Sequence, residues 1–309
     1  MLISVIVITY NSLEFVQQTL NSVSKQTYPE LELIISDDCS TDETFSFCKQ
    51  WAERNKSRFV RIICTQTPHN GGICWNYNHA LQQAHGEWIK YIAGDDLLLP
   101  DCIETFVAHI EPNCFFYTCS SVHYDAADGN AGQYKGLLPN VNARKQFRLM
   151  LRRFYCILGG TLFLEREHLN MLGGFDMRFP FSEDLPISLH YLSKHFRIKT
   201  LNEALVVWRC HSKSVSHSDN RFYPSVRSAM KYYTHRYCWR LGMPLMQYYY
   251  FVKYWIVENH TKSKWHQMAG YFLRIFDIVN WKRKCWPVGE VVTEEYMGPA
   301  TEEQKSALC

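Results

Sequence analysis

The chain lacks several features that would each have committed it to a different kind of protein. Its 12 cysteines run from Cys39 to Cys309 without a C-x-x-C pair, so the ligand spacing of zinc modules is absent. No G-x-G-x-x-G follows the first predicted strand; Thr9-Tyr10-Asn11-Ser12-Leu13-Glu14 stands there. That sets aside a nucleotide-cofactor oxidoreductase on a Rossmann sheet. The apolar, aromatic segment Met243–Val257 is broken by Gln247 and Lys253, and its 15 residues are too few to span a bilayer. The N-terminal MLISVIVITYNS has no basic n-region and no cleavage site, so it reads as a strand and not as an export signal. The expected setting is a reducing cytoplasm with free thiols. A net charge of +3 demands no nucleic-acid partner. There is no internal repeat and no low-complexity tract.

What the chain has is apolar and aromatic mass. Hydrophobic residues make up 47% of 309, enough for one large domain or a domain with an extension. The 19 Tyr, 18 Phe and 9 Trp serve either as core and interfacial filling or as the stacking surfaces that carbohydrate sites use.

The first hundred residues alternate between strand and helix signals. Leu2–Ile8 is a near-continuous apolar run, as in a parallel strand covered on both faces. Asn11 and Ser12 are expected to cap a helix carrying Phe15, Val16, Leu20 and Val23. Leu31–Ser36 is a second strand ending at Asp37-Asp38. Ser40 and Glu43 form a capping-box pattern before Phe45, Cys48 and Ala52 at helical spacing. Phe59–Thr65 is a third strand. Asn70-Gly71-Gly72 leads into a helix through Ala80 and Ala84, and Trp88–Ile92 is a fourth strand ending at Gly94-Asp95-Asp96. This alternation predicts an α/β fold with a mostly parallel sheet and helices on both faces. Ligands of such sheets bind beyond the carboxyl ends of the strands. Thr9-Tyr10-Asn11, Asp37-Asp38 and Asp95-Asp96 all fall there. The middle of the chain is less regular. It contains Gly159-Gly160-Thr161, a helix expected from near Pro186, and two short strands at Arg197–Leu201 and Ala204–Trp208.

Six segments recur in a telling order: SVIVITYNS (Ser4–Ser12), LELIISDDCSTDET (Leu31–Thr44), NGG (Asn70–Gly72), GEWIKYIAGDDLLLPD (Gly86–Asp101), GGFD (Gly173–Asp176) and SED (Ser182–Asp184). Each alone is weak; together they cover about two-thirds of the chain, and the sequence resembles glycosyltransferase family 2, inverting enzymes with the GT-A fold. The resemblance implies a UDP-sugar donor, Mn²⁺ or Mg²⁺, and transfer of a hexose or N-acetylhexosamine by direct displacement. It implies that Thr9, Tyr10, Asn11, Asp37 and Asp38 hold the nucleoside, with Asp38 accepting from the base. Asn70, Gly72 and Asn78 belong to the donor-side helix start, where glycine lets the backbone approach the nucleotide. Gly94 and Asp96 flank Asp95, the implied metal ligand. A hard divalent cation held by carboxylate oxygen offsets the charge that builds on the leaving diphosphate. Asp184, with Glu183 beside it, is the implied base that takes the acceptor hydroxyl's proton. His211 in Trp208-Arg209-Cys210-His211 is a second metal or diphosphate ligand, and Arg209 a phosphate or acceptor contact. Three positions depart from the pattern: Ala93 stands where the family often has Asp, Tyr77 where it often has Arg, and Pro186 where it often has an acid.

The expected organisation is a GT-A domain over residues 1–220 and a helical C-terminal extension over 221–309. The first has a nucleotide-sugar half (1–100) and an acceptor half (101–220). In the extension, Trp265, Met268, Ala269, Phe272, Leu273, Phe276 and Val279 share a helical face flanked by Lys262, Lys264, Arg274, Lys282, Arg283 and Lys284. That basic, aromatic extension fits the cytoplasmic face of an inner membrane near a lipid-linked saccharide acceptor. It equally fits packing on the main domain or on a second subunit of a homodimer. By family analogy the product is a bacterial surface polysaccharide such as O-antigen. The competing class is a non-catalytic nucleotide-sugar or glycan-binding module of the same fold, against which Asp95 and Asp184 both argue.

Overall fold

The computed structural model describes residues 1–125, 129–134, 137–153, 157–215, 222–237 and 240–243. The stripe around Trp265–Val279 and the flanking cations lie outside these residues. Three parallel crossovers build the first half: β1 (Ile3–Thr9), α1 (Val16–Ser24), β2 (Leu31–Asp37), α2 (Thr44–Asn55), β3 (Arg61–Gln66), α3 (Ile73–Leu81) and β4 (Trp88–Ala93). The second half runs β5 (Leu97–Leu98), α4 (Cys102–Ala108), β6 (Phe116–Asp125), β7 (Ala131–Tyr134), α5 (Ala143–Arg153), β8 (Phe163–Glu165), α6 (Arg166–Met171), α7 (Asp184–Ser193), β9 (Lys199–Cys210) and α8 (Phe222–Tyr237).

Among the described residues the strands form one sheet in the order β3-β2-β1-β4-β8-β6-β9-β5, with β7 added beside β6. The run β3-β2-β1-β4 is parallel throughout. β8 pairs antiparallel with both β4 and β6, and β5 antiparallel with β9. The α/β fold is therefore as expected, with its antiparallel pairings confined to the half where the sequence pattern is irregular.

Alternate residues of the central strands feed two apolar layers. Ile6, Ile34, Ile89 and Tyr91 pack against α3, α5, α7 and α8 on one face. Val5, Val7, Leu33, Ile35 and Ile92 pack against α1, α2 and α4 on the other. Burial on both faces is what the unbroken apolar runs of β1 and β2 encode.

Four local expectations change. α1 begins at Val16 with Phe15 as its half-in residue and no side-chain cap. Asn11 and Ser12 instead tie loops together: Asn11 Oδ1 accepts from Thr41 N (2.9 Å) and Ser12 N donates to Thr44 Oγ1 (2.9 Å). The Ser40–Glu43 capping box does not form, because Ser40 is drawn to the buried Asp37 carboxylate and Glu43 makes no capping bond. α3 closes at Leu81, before Ala84. The two strands expected at 197–208 are one strand, β9, with its pairing to β6 shifted between Cys119 and Ser121. Asn202 and Glu203 break the apolar pattern because they are the extra residues of a bulge, not a turn.

Candidate active site

The carboxyl ends of β1, β2 and β4 lie side by side at the point where the strand order reverses. Sharp turns leave them: Asn11 and Cys39 sit in the left-handed region, at φ 49° and 59°. Asn tolerates that conformation; a cysteine there is held by its surroundings. Asp37, wholly buried, accepts from Thr9 Oγ1 (2.9 Å), Ser40 N (2.8 Å), Ser40 Oγ (2.5 Å) and Gln66 Nε2 (2.9 Å). Four bonds fill the acceptor capacity of a carboxylate. Asp37, expected at the nucleoside, thus ties β1, β2 and β3 together with its acceptor positions taken by the protein. Thr9 is buried with it. Asp38 accepts from Thr67 Oγ1 (2.9 Å), Gly71 N (3.1 Å) and Gly72 N (2.8 Å), so it shapes the Asn70–Gly72 loop. Gly72 needs its glycine: φ is +89° and a Cβ would lie 3.0 Å from Pro180 O. Tyr10, Asn11 and Asn70 are exposed at this rim.

Two further expected contacts are used inside the protein. Asn78 grips the Gly174-Phe175 backbone in both directions, donating to Phe175 O and accepting from Phe175 N, each at 2.8 Å. Gly94 is a packing glycine, since a Cβ there would meet Thr9 Cγ2 at 2.8 Å. Tyr77, which replaces a family cation, is fully buried against Tyr91 (4.7 Å between centroids) and Phe175 (5.2 Å). Its ring neighbours are aromatic, and burial followed by the charges of Glu183 and Asp96 pushes its hydroxyl well above the usual range.

At the end of β4 the two aspartates part company. Asp96 is buried, accepts from Arg209 N at 3.0 Å, and has its carboxyl pushed up by desolvation and then by the charge of Asp95. Asp95 stays partly open, and its Oδ2 lies 3.1 Å from His211 Nε2, 116 residues away in sequence. β9 makes this meeting: it carries Arg209, and His211 follows directly after it. Arg209 is buried, donating from Nε to Asp95 O and from Nη1 to Gln18 Oε1, with its guanidinium 5.1 Å from the Phe15 ring. Phe15 in turn stacks on His211 at 4.3 Å. Among the described residues, Arg209 Nη2 and His211 Nδ1 are buried without a protein partner.

The second carboxylate pair begins α7. Glu183 and Asp184 both have their carboxyls raised by desolvation, and Glu183 is raised further by the charge of Asp184. Asp184 Oδ1 accepts from Leu185 N at 2.6 Å. Between the two acidic sites runs a 3-10 turn, Gly159–Thr161. A Cβ on Gly159 would collide with Glu183 Oε1, and one on Gly160 would sit 3.3 Å from Asp96 Oδ2. Beneath it, wholly buried Lys90 donates from Nζ to the carbonyls of Tyr91 (3.0 Å), Gly160 and Leu162 (3.4 Å). Desolvation holds the Lys90 ammonium below its usual range, and Asp96 is among the groups that oppose it.

Sequence reasoning missed Phe15, Gln18, Lys90 and the role of Gly159-Gly160. Phe15 was assigned to a core face; it is a site ring instead. Only the Gly-Gly pair left a signal, as side-chain-free backbone in a region rich in side chains.

Among the described residues, no group of three or more His, Cys, Asp or Glu is arranged to hold a metal ion alone. Asp95 and His211 offer one carboxylate oxygen and one imidazole nitrogen. That set fits a divalent ion completed by a bound diphosphate, as is usual for Mg²⁺ and Mn²⁺ in phosphate sites.

Comparison with known proteins agrees with the fold. The model of the family described as glycosyl transferase family 2 matches residues 4–170. The chain is 29% identical over 231 residues to UDP-Glc:alpha-D-GlcNAc-diphosphoundecaprenol beta-1,3-glucosyltransferase WfaP of Escherichia coli, covering 74% of this chain and 84% of that protein. It is 28% identical over 255 residues to the putative glycosyltransferase EpsE of Bacillus subtilis, covering 81% and 87%. In structure it resembles residues 1–349 of S. aureus TarS in complex with UDP-GlcNAc, with a TM-score of 0.60 at 24% identity, over 76% of this chain and 67% of that one.

Proposed function

The chain belongs to glycosyl transferase family 2, and from that premise we propose that it is an inverting enzyme that moves a hexose or N-acetylhexosamine from a UDP-sugar to a lipid-linked saccharide. The observation that carries the reading is the meeting of Asp95 and His211 at the carboxyl end of the sheet, with the Glu183–Asp184 pair across the Gly159-Gly160 turn.

Each group has one task in this reading. Tyr10, Asn11 and Asn70 meet the nucleoside at the exposed rim. Asp38 keeps one acceptor position for the base after its three bonds to the protein. Asp95 and His211 would hold Mn²⁺ or Mg²⁺, whose charge would offset that of the departing diphosphate. Arg209 Nη2 and His211 Nδ1 are left as donors for phosphate oxygen. Asp184 ionises first, because its charge is what holds the proton on Glu183. The pair therefore presents one carboxylate and one carboxylic acid near neutral pH. The Asp184 carboxylate takes the acceptor hydroxyl's proton as the oxygen attacks the anomeric carbon from the face opposite the diphosphate. The Glu183 carboxyl stays neutral beside it and adds no second charge. The Gly159-Gly160 turn leaves the space between the two acidic sites that a sugar ring needs.

The acceptor class is supported by WfaP, whose name gives a diphosphoundecaprenol-linked GlcNAc as its acceptor. Residues 1–220 are proposed as the catalytic domain and 221–309 as a helical extension, acting at the cytoplasmic face of a membrane. The test is incubation with a panel of UDP-sugars, Mn²⁺ and polyprenyl-diphosphate-linked saccharides, reading UDP release and product mass. Transfer from one donor is expected. No transfer with any donor–acceptor combination would reject the reading.

A further inference from the structure

The formal charge of the chain is small, but its distribution is not. No acid occurs between Asp128 and Glu165 or between Asp219 and Glu258, and these two stretches carry six Arg or Lys each. Their 12 cations exceed the whole chain's net charge of +3, so the remainder of the protein is net acidic. Among the described residues, each stretch contains one helix, α5 or α8. Five of the 11 residues of α5 are Arg or Lys.

The fold brings these helices together. Both pack on the same apolar layer, with Phe147 of α5 against Tyr237 of α8 at 5.2 Å between rings. Their apolar sides are consumed: Ala143, Phe147, Met150 and Leu151 in α5, and Ala229, Met230 and Tyr233 in α8, are buried. Arg144 and Lys145 of α5 are exposed, as are Arg227, Lys231 and Arg236 of α8. Both helices also lean on α7, the helix that opens with Asp184, and Tyr233 Oη donates to Pro186 O at 3.2 Å. On the opposite face of the sheet, α1 carries no charged residue, and α2 carries Glu53 between Lys49 and Arg54, paired to Lys56 just beyond the helix.

We propose that the basic face of α5 and α8 docks on a bilayer surface rich in anionic phospholipid, setting the Asp184 side of the site toward a membrane-borne acceptor. The charge is spread along two surface helices, which suits a laterally extended anionic surface better than a single phosphate group. The orientation of the acceptor rests on the function proposed above; the docking itself does not.

The test uses the full chain and sedimentation with large unilamellar vesicles. Phosphatidylcholine vesicles containing phosphatidylglycerol are expected to carry the protein down at low salt, and pure phosphatidylcholine is not. Each cation near an anionic bilayer contributes about fivefold to partitioning, so Arg144→Gln, Lys145→Gln and Arg227→Gln together weaken binding about 100-fold. The matched triple on the other face, Lys25→Gln, Lys49→Gln and Arg54→Gln, is expected to leave it within about threefold. Circular dichroism and transfer to a detergent-soluble acceptor serve as folding controls for both triples. Equal binding to neutral vesicles, or equal loss in the two triples, overturns the proposal. So does retention by soluble polyphosphate without vesicle binding, which would make the face a polyanion site. Because binding is read without turnover, a protein that docks as described but transfers nothing rejects the proposed function alone.

Discussion

Gly159→Ala separates the acceptor-side chemistry from the stability of the fold. The three atoms nearest a Cβ at this position all belong to the Glu183 side chain: Oε1 first, then Cδ (3.1 Å) and Cγ (3.5 Å). The contact is therefore relieved by swinging the Glu183 side chain, which must withdraw by about 1 Å. Glu183 adjoins the proposed base Asp184, and a displacement of that size passed on to the reacting geometry costs about 100-fold in rate. Stability moves little. The added methyl costs about 1–3 kcal/mol of crowding, and the lost glycine freedom of the unfolded chain returns about 0.4–1 kcal/mol. For a domain of this size a net loss near 1 kcal/mol lowers the melting temperature by about 2–4 °C. The expected result is a kcat near 1% of the parent with the donor KM within about threefold, measured by UDP release beside a thermal scan. Gly160→Ala is the internal control. Its Cβ would lie 3.3 Å from Asp96 Oδ2 and 3.5 Å from Val206 Cγ1, a tight but ordinary fit. A loss of about fivefold or less is expected there. Parent-like kcat in Gly159→Ala, or a larger loss in Gly160→Ala, would refute the placement of Glu183 against the turn.

The remaining predictions address the other groups. Asp184→Asn is expected to lower kcat by about 10²–10⁴ while leaving UDP-sugar binding intact by calorimetry; unchanged turnover would remove Asp184 from the mechanism. Burial raises the Asp184 carboxyl, so the acid limb of kcat/KM lies above the ordinary aspartate range of about 3.9, with activity lost as pH falls through it. Both folded-state carboxyls of the pair are raised, so their cost to stability is absent at low pH and appears as pH rises through them. Glu183→Gln should accordingly melt higher than the parent at alkaline pH and alike below the carboxylate range; the reverse trend would contradict the burial argument. His211→Ala is expected to raise the Mn²⁺ concentration for half-maximal activity by about 10–100-fold, and an unchanged metal titration would free His211 of that role. Asp37→Ala strands four donors at the strand ends and is expected to cost about 3 kcal/mol in denaturant unfolding; a loss under about 1 kcal/mol would show that the carboxylate does not tie the strands together.

Much of the parallel half of the sheet was legible because its signals are local. Ile3–Thr9 and Leu31–Asp37 are apolar runs covered on both faces, and each ends in polar residues where a crevice must lie. The second half, which mixes parallel and antiparallel pairs, was not legible, since its strands pair across long separations and β9 hides a bulge inside what reads as two strands. Helix starts failed for a related reason. Ser12 and Ser40 have the side chains of caps, but the Ser12 hydroxyl turns back to the Tyr10 backbone and the Ser40 hydroxyl donates to Asp37.

Composition and motif order by themselves determined the family, the α/β class and which short segments crowd the carboxyl rim, because those properties depend on residue type and spacing along the chain. They could not separate residues that face the crevice from residues that build it. Asp37, Asn78 and Gly94 look like ligand contacts in sequence, yet each is consumed by the protein's own backbone or packing. The tertiary structure alone decided that Asp95 meets His211, that Gly159 and Gly160 stand between two acidic sites, and that α5 and α8 meet through Phe147 and Tyr237. These are distances between residues far apart in the chain, and only the closed sheet with its packed helices sets them.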